Sequence, residues 1–392
     1  MIRLGVAGLG TAFCKMLPAF LKHPGIRMVA AASPVEEERT NFARDFDVPV
    51  YHDAEELAEL SNVDALYIST PTPLHAEHVA CALRNGKHVL VEKPLSLDVD
   101  TALALVQMAE QQGVILLVGH SHSFDPPIQE IRRIVETGRL GRVRMIHNWC
   151  YSDWIYRPRL PDELNTALGG GVVFRQGAHQ FDIIRLIGGG LVRSVRATTG
   201  IWDGSRPTEG AHTVFLEFTD GTVATAVYNG YDHFHSSELT FGLGEWGEVD
   251  DYRAMPQYGR QRRQVQLADT QTEVQMKRSR AGYCSTVQYA AVERLPLFGM
   301  TMVSCENGDI RQTPQGLAVY GDREIEYLHL PENVTAHDSV VSEFHDAIEG
   351  IRCPIHDGRW ALATLEVCLA VLDSSKQQKE VFLQHQVGVS GR

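Results

Sequence analysis

Five short apolar runs punctuate the first third of the chain: "IRLGVAG" from Ile2, "RMVAAAS" from Arg27, "DALYIST" from Asp64, "KHVLVEKP" from Lys87 and "VILLVGH" from Val114. Each is nearly continuous in its hydrophobicity and short, the pattern of a strand buried on both faces in a parallel sheet. The segments 11–23, 36–46, 53–61, 73–86 and 98–112 carry helical spacing between them. Regular alternation of this kind predicts a doubly wound α/β sheet over residues 1–122. After "SHSFDPP" the alternation stops, and stretches such as "RVRMIHNW", "HTVFLEFTD" and "TVATAVYNGY" appear between DG and GG turn signals. They predict a second, α+β domain over 123–392, with a large and mostly antiparallel sheet. Residues 245–300 are charged and weakly periodic and are expected to form a long loop, whereas "SVVSEFHDAIEG" and "GRWALATLEVCLAVLDSSKQQ" predict two closing helices.

A length of 392 residues suits two domains. The formal net charge of -13 argues against nucleic acid or an anionic membrane as main partner, since both call for a basic surface. It also means that an anionic ligand needs cations placed locally. Seven scattered cysteines without a CxxC pair are expected to be reduced thiols, and no apolar run reaches ~18 residues. A cytoplasmic protein with no metal site is the expectation.

The first strand runs straight into "GLGTAF", which places Gly8, Gly10, Thr11, Ala12 and Phe13 at a strand-to-helix turn. There a pyrophosphate can approach the backbone and meet the positive end of a helix. Phe13 stands where a full GxGxxG has its third glycine, and a tight turn alone also wants glycine, so position in the alternating pattern carries the dinucleotide reading. At the end of the second strand, where an NAD site often holds a carboxylate, stands Ser33, able to contact a ribose hydroxyl or a 2'-phosphate. Arg39 is a phosphate partner or, more simply, an exposed helix cation.

The run "STPTPLHAEHVACALRNGKHVLVEKPLS", with the "GLG" before it, resembles the glucose-fructose oxidoreductase, inositol dehydrogenase and MocA family of NAD(P)-dependent dehydrogenases. The resemblance extends through "DPPIQEIRRIVETGRLGRV", the triple glycine and the "DGRWALATLEVCLAVLDSS" ending, and implies a Rossmann domain binding NAD or NADP. It also implies that Lys93 of "EKP", with Glu92 beside it, lies at the nicotinamide and substrate. Thr70, Pro71 and His75 match the family's cofactor-contacting turn, although His75 could equally cap or pack on its helix. His120, ending the fifth strand, is expected to border the cofactor cleft.

In the same family the triple glycine is followed by an aspartate and then a histidine. Here Gly169 to Gly171 and His179 match, but the aspartate position holds Arg175. On an α-helix Arg175, His179 and Asp182 would share a face. The resemblance makes His179 the general base, assisted by Lys93, with a buried core histidine as the plainer alternative. Asp182 is either a substrate neighbour or structural. Arginine is a permanently charged fork for carboxylate, so Arg175, together with Arg157 and Arg159 in "YRPRLPDEL", favours an anionic substrate, unless these two form an interdomain ion-pair cluster. Within the family these segments are similar to the phthalate 4,5-cis-dihydrodiol branch, which implies oxidation of a carboxylated aromatic cis-dihydrodiol to a catechol by a homodimer or homotetramer. A sugar or cyclitol dehydrogenase and a non-catalytic dinucleotide sensor are the rival readings. The pairs His120/His122, His233/His235 and His75/His78 lack further ligands at metal spacing, and Arg260, Arg262 and Arg263 suggest a solvated loop or a subunit contact.

Overall fold

A computed structural model of the chain describes residues 1–231, 233–249, 270–281, 283, 294–332 and 334–389. The predicted strands are β1 (Ile2–Ala7), β2 (Ile26–Ala32), β4 (Ala65–Ile68), β5 (His88–Glu92) and β6 (Leu116–Gly119), joined by a two-residue edge strand β3 (Val50–Tyr51). All pair in parallel, in the order β3-β2-β1-β4-β5-β6. That is the Rossmann order, with its switch point between β1 and β4. Both faces are buried. On β4, Ala65 and Tyr67 enter one apolar cluster and Leu66 and Ile68 the other.

The intervening helices are α1 (Thr11–Lys22), α2 (Glu36–Phe46), α3 (Ala54–Glu59), α4 (His75–Arg84) and α5 (Val99–Gln112). Their starts follow local chemistry: Asp53 and Asp98 accept the amides of Glu56 and Thr101.

Among the described residues the second sheet has nine strands, including β7 (Val143–Tyr151), β8 (Val192–Gly200), β9 (Ala211–Phe218) and β10 (Val223–Asn229). It is antiparallel except where β7 runs parallel to β10. Helices α6 (Pro126–Glu136) and α7 (Ala178–Gly188) connect this sheet to the first unit. Of the loop expected over 245–300, residues 250–269, 282 and 284–293 lie outside the described residues, and the rest needs correcting, because residues Thr270–Ala281 form a helix, α8. The basic cluster Arg260, Arg262 and Arg263 lies outside the described residues.

The two closing helices are α9 (Ala336–Ile348) and α10 (Gly358–Gln377). Helix α9 returns to the first sheet: Val340, Val341 and Phe344 share a core with Leu4, Phe20 and Leu117. The chain then runs beside β6, where Val118 N–H donates to His356 O at 3.0 Å. Sequence from the second half therefore covers one face of the dinucleotide fold.

Candidate active site

The carboxyl ends of β1, β4, β5 and β6 converge on one edge of the first sheet, where open α/β sheets bind ligands. At the end of β1, Gly8 has φ +93°, and a Cβ there would lie 2.8 Å from the backbone of Ser69. Gly10 is different: a Cβ on it would meet nothing within 4 Å, so open space lies against the turn. The first helical bond joins Cys14 N–H to Gly10 O at 3.0 Å, so the amides of Thr11, Ala12 and Phe13 precede the helical ladder. Room at Gly10 and these N–H groups fit a dinucleotide pyrophosphate. The Phe13 side chain takes no part. It is buried against Phe42 and Tyr283, while Tyr283 N–H donates to Leu9 O at 3.0 Å across the loop.

At the end of β2, Ser33 Oγ donates to Glu38 Oε2 at 2.6 Å, and Arg39 donates to Ser33 O at 2.7 Å. A carboxylate therefore does stand at this strand end, five residues later than the sequence pattern suggests. His75 is a staple: its ring nitrogens lie 2.7 Å from Pro94 O and 2.9 Å from Thr70 O. It ties the turn after β4 to the loop after β5, and burial pushes its pKa down to about 4. A buried ring held between two carbonyls positions Thr70 and Lys93 rather than touching a cofactor. Pro71 is exposed, and Thr70 Oγ1 lies 2.9 Å from His78 Nδ1.

Lys93 follows β5 directly, and its Nζ donates to Arg175 O at 2.6 Å. Burial and the Arg175 guanidinium bring its pKa down to about 7. Glu92, bonded by Tyr67 Oη at 2.8 Å, is pushed up by burial. Arg175 lies on a π-helical turn, Val173–Gly177, that leads into α7. The wider turn breaks the single helical face expected for Arg175, His179 and Asp182. Its position is set by the triple glycine, since a Cβ at Gly171 would fall 2.0 Å from Glu209 Oε1, and Glu209 in turn accepts Val173 N–H at 3.3 Å. The Arg175 side chain is loosely held, with a terminal nitrogen 3.6 Å from Asp162 and a buried Nε without a hydrogen-bond partner among the described residues.

His179 is 7% exposed and meets the ring of His122 edge-on at 4.7 Å. Burial, then Lys93, His122 and His120, hold its pKa well below the usual range, and its Nδ1 has no partner among the described residues. His120, 4.0 Å from Asp182, is likewise pushed down to about 4 by burial.

Two expected substrate contacts need correction. Asp182 is 0% exposed; its Oδ1 accepts from Trp360 Nε1 at 2.6 Å and Thr364 Oγ1 at 2.9 Å. His356 Nε2 stands 3.6 Å from its other oxygen, so Asp182 belongs to a buried interior network. Arg159 donates twice to Trp154 O and lies 3.3 Å from Glu163, with its guanidinium stacked on the Trp154 ring. It has no reach left for a ligand. Arg157 is half-exposed and pairs with Asp153 at 2.6 Å.

Sequence reasoning missed several side chains here. Lys15 of α1 places its ammonium 3.6 Å from the centroid of the Trp246 ring, which lies 4.4 Å from His122. His122 also stacks on Phe298 at 4.4 Å and meets Asp125 at 3.0 Å. Lys15 sits one turn after Thr11 and so faces the same edge, a spacing that could have exposed it. Trp246 and Phe298 come from irregular chain without a readable period.

Two family profiles match the chain: an oxidoreductase family with an NAD-binding Rossmann fold over residues 2–120, and the GFO/IDH/MocA C-terminal domain over 128–243. The chain belongs to this oxidoreductase family. A relative from Comamonas testosteroni, 1-carboxy-3-chloro-3,4-dihydroxycyclohexa-1,5-diene dehydrogenase, is 38% identical over 96% of both chains. A solved structure from Bordetella bronchiseptica RB50, a dehydrogenase by designation, is 39% identical over 97% of this chain and 100% of its own, with a TM-score of 0.92. The WlbA dehydrogenase of Bordetella pertussis, solved with NADH and UDP-GlcNAcA, shares the fold at a TM-score of 0.71 and 18% identity over 98% and 99%. The family assignment makes the first unit an NAD-binding Rossmann domain and the chain an oxidoreductase. No described helix is long and apolar enough to cross a membrane.

Proposed function

We propose that this oxidoreductase dehydrogenates a carboxylated cyclohexadiene cis-diol to the corresponding catechol, with 4,5-dihydro-4,5-dihydroxyphthalate as the expected substrate. The observation that carries the reading is Arg175, a cation with spare donor capacity whose own carbonyl holds the Lys93 ammonium. The likeness to the Comamonas enzyme, whose named substrate is a carboxylated ring diol, supports it over the full length. A neutral polyol would leave the Arg175 donors unanswered.

A bound nicotinamide supplies the hydride acceptor. Thr11, Ala12 and Phe13 offer amides to its pyrophosphate, and the carboxylate of Glu38 in α2, bonded to Ser33 at the end of β2, disfavours a 2'-phosphate, so NAD is the preferred form. Lys93 takes the hydroxyl proton. An amine brought to about pKa 7 is half neutral at physiological pH and well matched to that task, whereas His179 is neutral throughout but a weak base. The division of labour expected from the family pattern is therefore reversed: Lys93 is the base, and His179 orients the hydroxyl. Arg175 holds a ring carboxylate. Loss of the carbinol hydrogen leaves a ketone that tautomerises to the aromatic catechol.

The test is incubation of the protein with cis-4,5-dihydrodiol phthalate and with each cofactor separately, following nicotinamide absorbance. Reduction of NAD, faster than of NADP, is expected. Absence of reduction with both cofactors would remove the proposal.

A further inference from the structure

The helix that carries His179 is pinned beside it. Gln180 is buried; its Nε2 donates to Asn148 Oδ1 at 2.6 Å and to Val227 O at 3.0 Å, and its Oε1 lies 2.8 Å from His212 Nε2. Asp182, three residues beyond His179, is bonded by Trp360 and Thr364. These bonds fix the α7 backbone. The His179 ring is held differently, because its Nδ1 has no hydrogen-bond partner among the described residues and the torsion that turns an imidazole about its bond to Cβ is intrinsically soft. Its plane is set by neighbouring rings.

His122 lies 4.7 Å from His179 with the two planes at 82°, and Phe298 lies 5.4 Å from it at 62°. Edge-to-face pairs of this kind are directional, since the positive rim of one ring meets the negative face of the other. His122 and Phe298 also stack on each other at 4.4 Å and 27°, and Trp246 closes on His122 at 4.4 Å. Together they form a wall against which His179 rests. Phe298 is tied to the second sheet, where its carbonyl accepts from Asn148 Nδ2 at 3.2 Å.

A stacked imidazole can still turn, and Asp125 prevents this for His122. Asp125 follows the short turn Ser121–Phe124 and immediately precedes α6. Its Oδ2 lies 3.0 Å from His122 Nδ1, and both residues are 1% exposed. Burial pushes the Asp125 carboxyl up to about 6, so at neutral pH it is ionised and can only accept, which places a hydrogen on His122 Nδ1. The other carboxylate oxygen is buried without a hydrogen-bond partner among the described residues. A half-answered buried carboxylate is costly, and such costs are kept where they hold a functional side chain in place.

We propose that Asp125 and His122 are positioning residues: the carboxylate fixes the His122 ring, and that ring fixes the plane of His179 so that His179 meets the reacting hydroxyl. The proposal rests on the reading above, in which His179 orients that hydroxyl while Lys93 takes its proton. Neither Asp125 nor His122 touches substrate or cofactor in this role. A misplacement of ~1 Å at a reacting group costs on the order of 100-fold in rate, so the effect falls on kcat. KM is governed elsewhere, by Arg175 and the cofactor turn.

The test measures kcat, KM and the carbon–proton NMR spectrum of labelled histidines in the full chain, for wild type, Asp125→Leu and Asp125→Asn, with His179 assigned through His179→Gln. Leucine removes the acceptor but leaves the His122 ring present, so displaced His179 resonances report a turned ring. Asp125→Leu should lower kcat by ~10- to 100-fold and displace those resonances, with KM for the diol and for NAD within about threefold of wild type. Asparagine still accepts from Nδ1–H through its own oxygen, and Asp125→Asn should recover most of the rate and the wild-type resonances. An unchanged kcat in Asp125→Leu, a fall without displaced resonances, or no recovery in Asp125→Asn would overturn the proposal. Should Asp125→Leu not fold, His122→Gln keeps a donor for Asp125 and removes the ring: a kcat loss of at least ~10-fold at unchanged KM supports the assignment, and full activity overturns it. If wild type oxidises no cis-diol, the functional reading has failed, and the His179 resonances alone decide. Displacement in Asp125→Leu with return in Asp125→Asn then supports the positioning role, and constancy across the variants overturns it.

Discussion

Lys93 and Arg175 form one electrostatic unit. The guanidinium helps hold the Lys93 ammonium at about pKa 7, and the backbone carbonyl of the same arginine accepts its hydrogen bond. If the neutral amine is the base, kcat/KM for diol oxidation rises with pH through about 7 and levels above it. Arg175→Met removes a cation that lowers this pKa, so the acid limb should move to higher pH while KM for the carboxylated diol rises at least ~10-fold. Cofactor affinity, measured by fluorescence titration, should remain within about threefold of wild type. Lys93→Met should lower kcat by ~100-fold or more and abolish the limb. Retention of the limb in that variant would exclude Lys93 as the base. The pairing of Lys93 with Arg175 was only half legible in the sequence: "EKP" and the missing aspartate marked both residues, but their contact joins positions 82 residues apart.

At the scale of elements, the Rossmann strands were readable because burial on both faces makes each a continuous apolar run. Helix α8, "TQTEVQMKRSRA", was not, having almost no apolar stripe. What ties it down is ionic: Glu273 accepts the amide of Arg159 at 2.7 Å and meets Arg206 at 2.8 Å. The π turn before α7 was equally hidden, since nothing in "VVFRQGAHQ" distinguishes a wide turn from an α-helical one. Its support does make a prediction. Gly171→Ala would press a methyl group onto the Glu209 carboxylate, at a φ of +78° that L residues rarely adopt. Destabilisation by about 2 kcal/mol or more is expected in denaturant melts, with a larger loss of kcat than of cofactor binding.

Across the whole molecule, the network around Asp182 joins the two halves. His356 lies against Asp182 and against Glu343 of α9, at 3.6 and 3.1 Å, and its partners raise its pKa to about 9 despite burial. A structural role for Asp182 was one of two readings open in the sequence, but its partners were not legible, because Trp360, Thr364 and His356 lie more than 170 residues further along the chain. Asp182→Ala should cost ~3–5 kcal/mol of stability, because the His356 cation loses one of its two buried counter-charges. Since the folded pKa of His356 lies above the unfolded value of about 6.5, its contribution is complete below pH 6.5 and is lost as pH rises through 9. Thermal melts should therefore show Tm falling over that interval, more steeply in wild type than in His356→Gln. The proposed function turns on two side chains: Arg175 to hold a ring carboxylate and Lys93 to take the proton. The most direct measurement is the ratio of kcat/KM for a cyclohexadiene cis-diol with and without its carboxylate, in wild type and in Arg175→Met. Wild type should prefer the carboxylated diol by ~100-fold, and the variant should bring that preference to within ~10-fold. Equal turnover of both diols by the wild-type protein, or a preference untouched by the substitution, would contradict it.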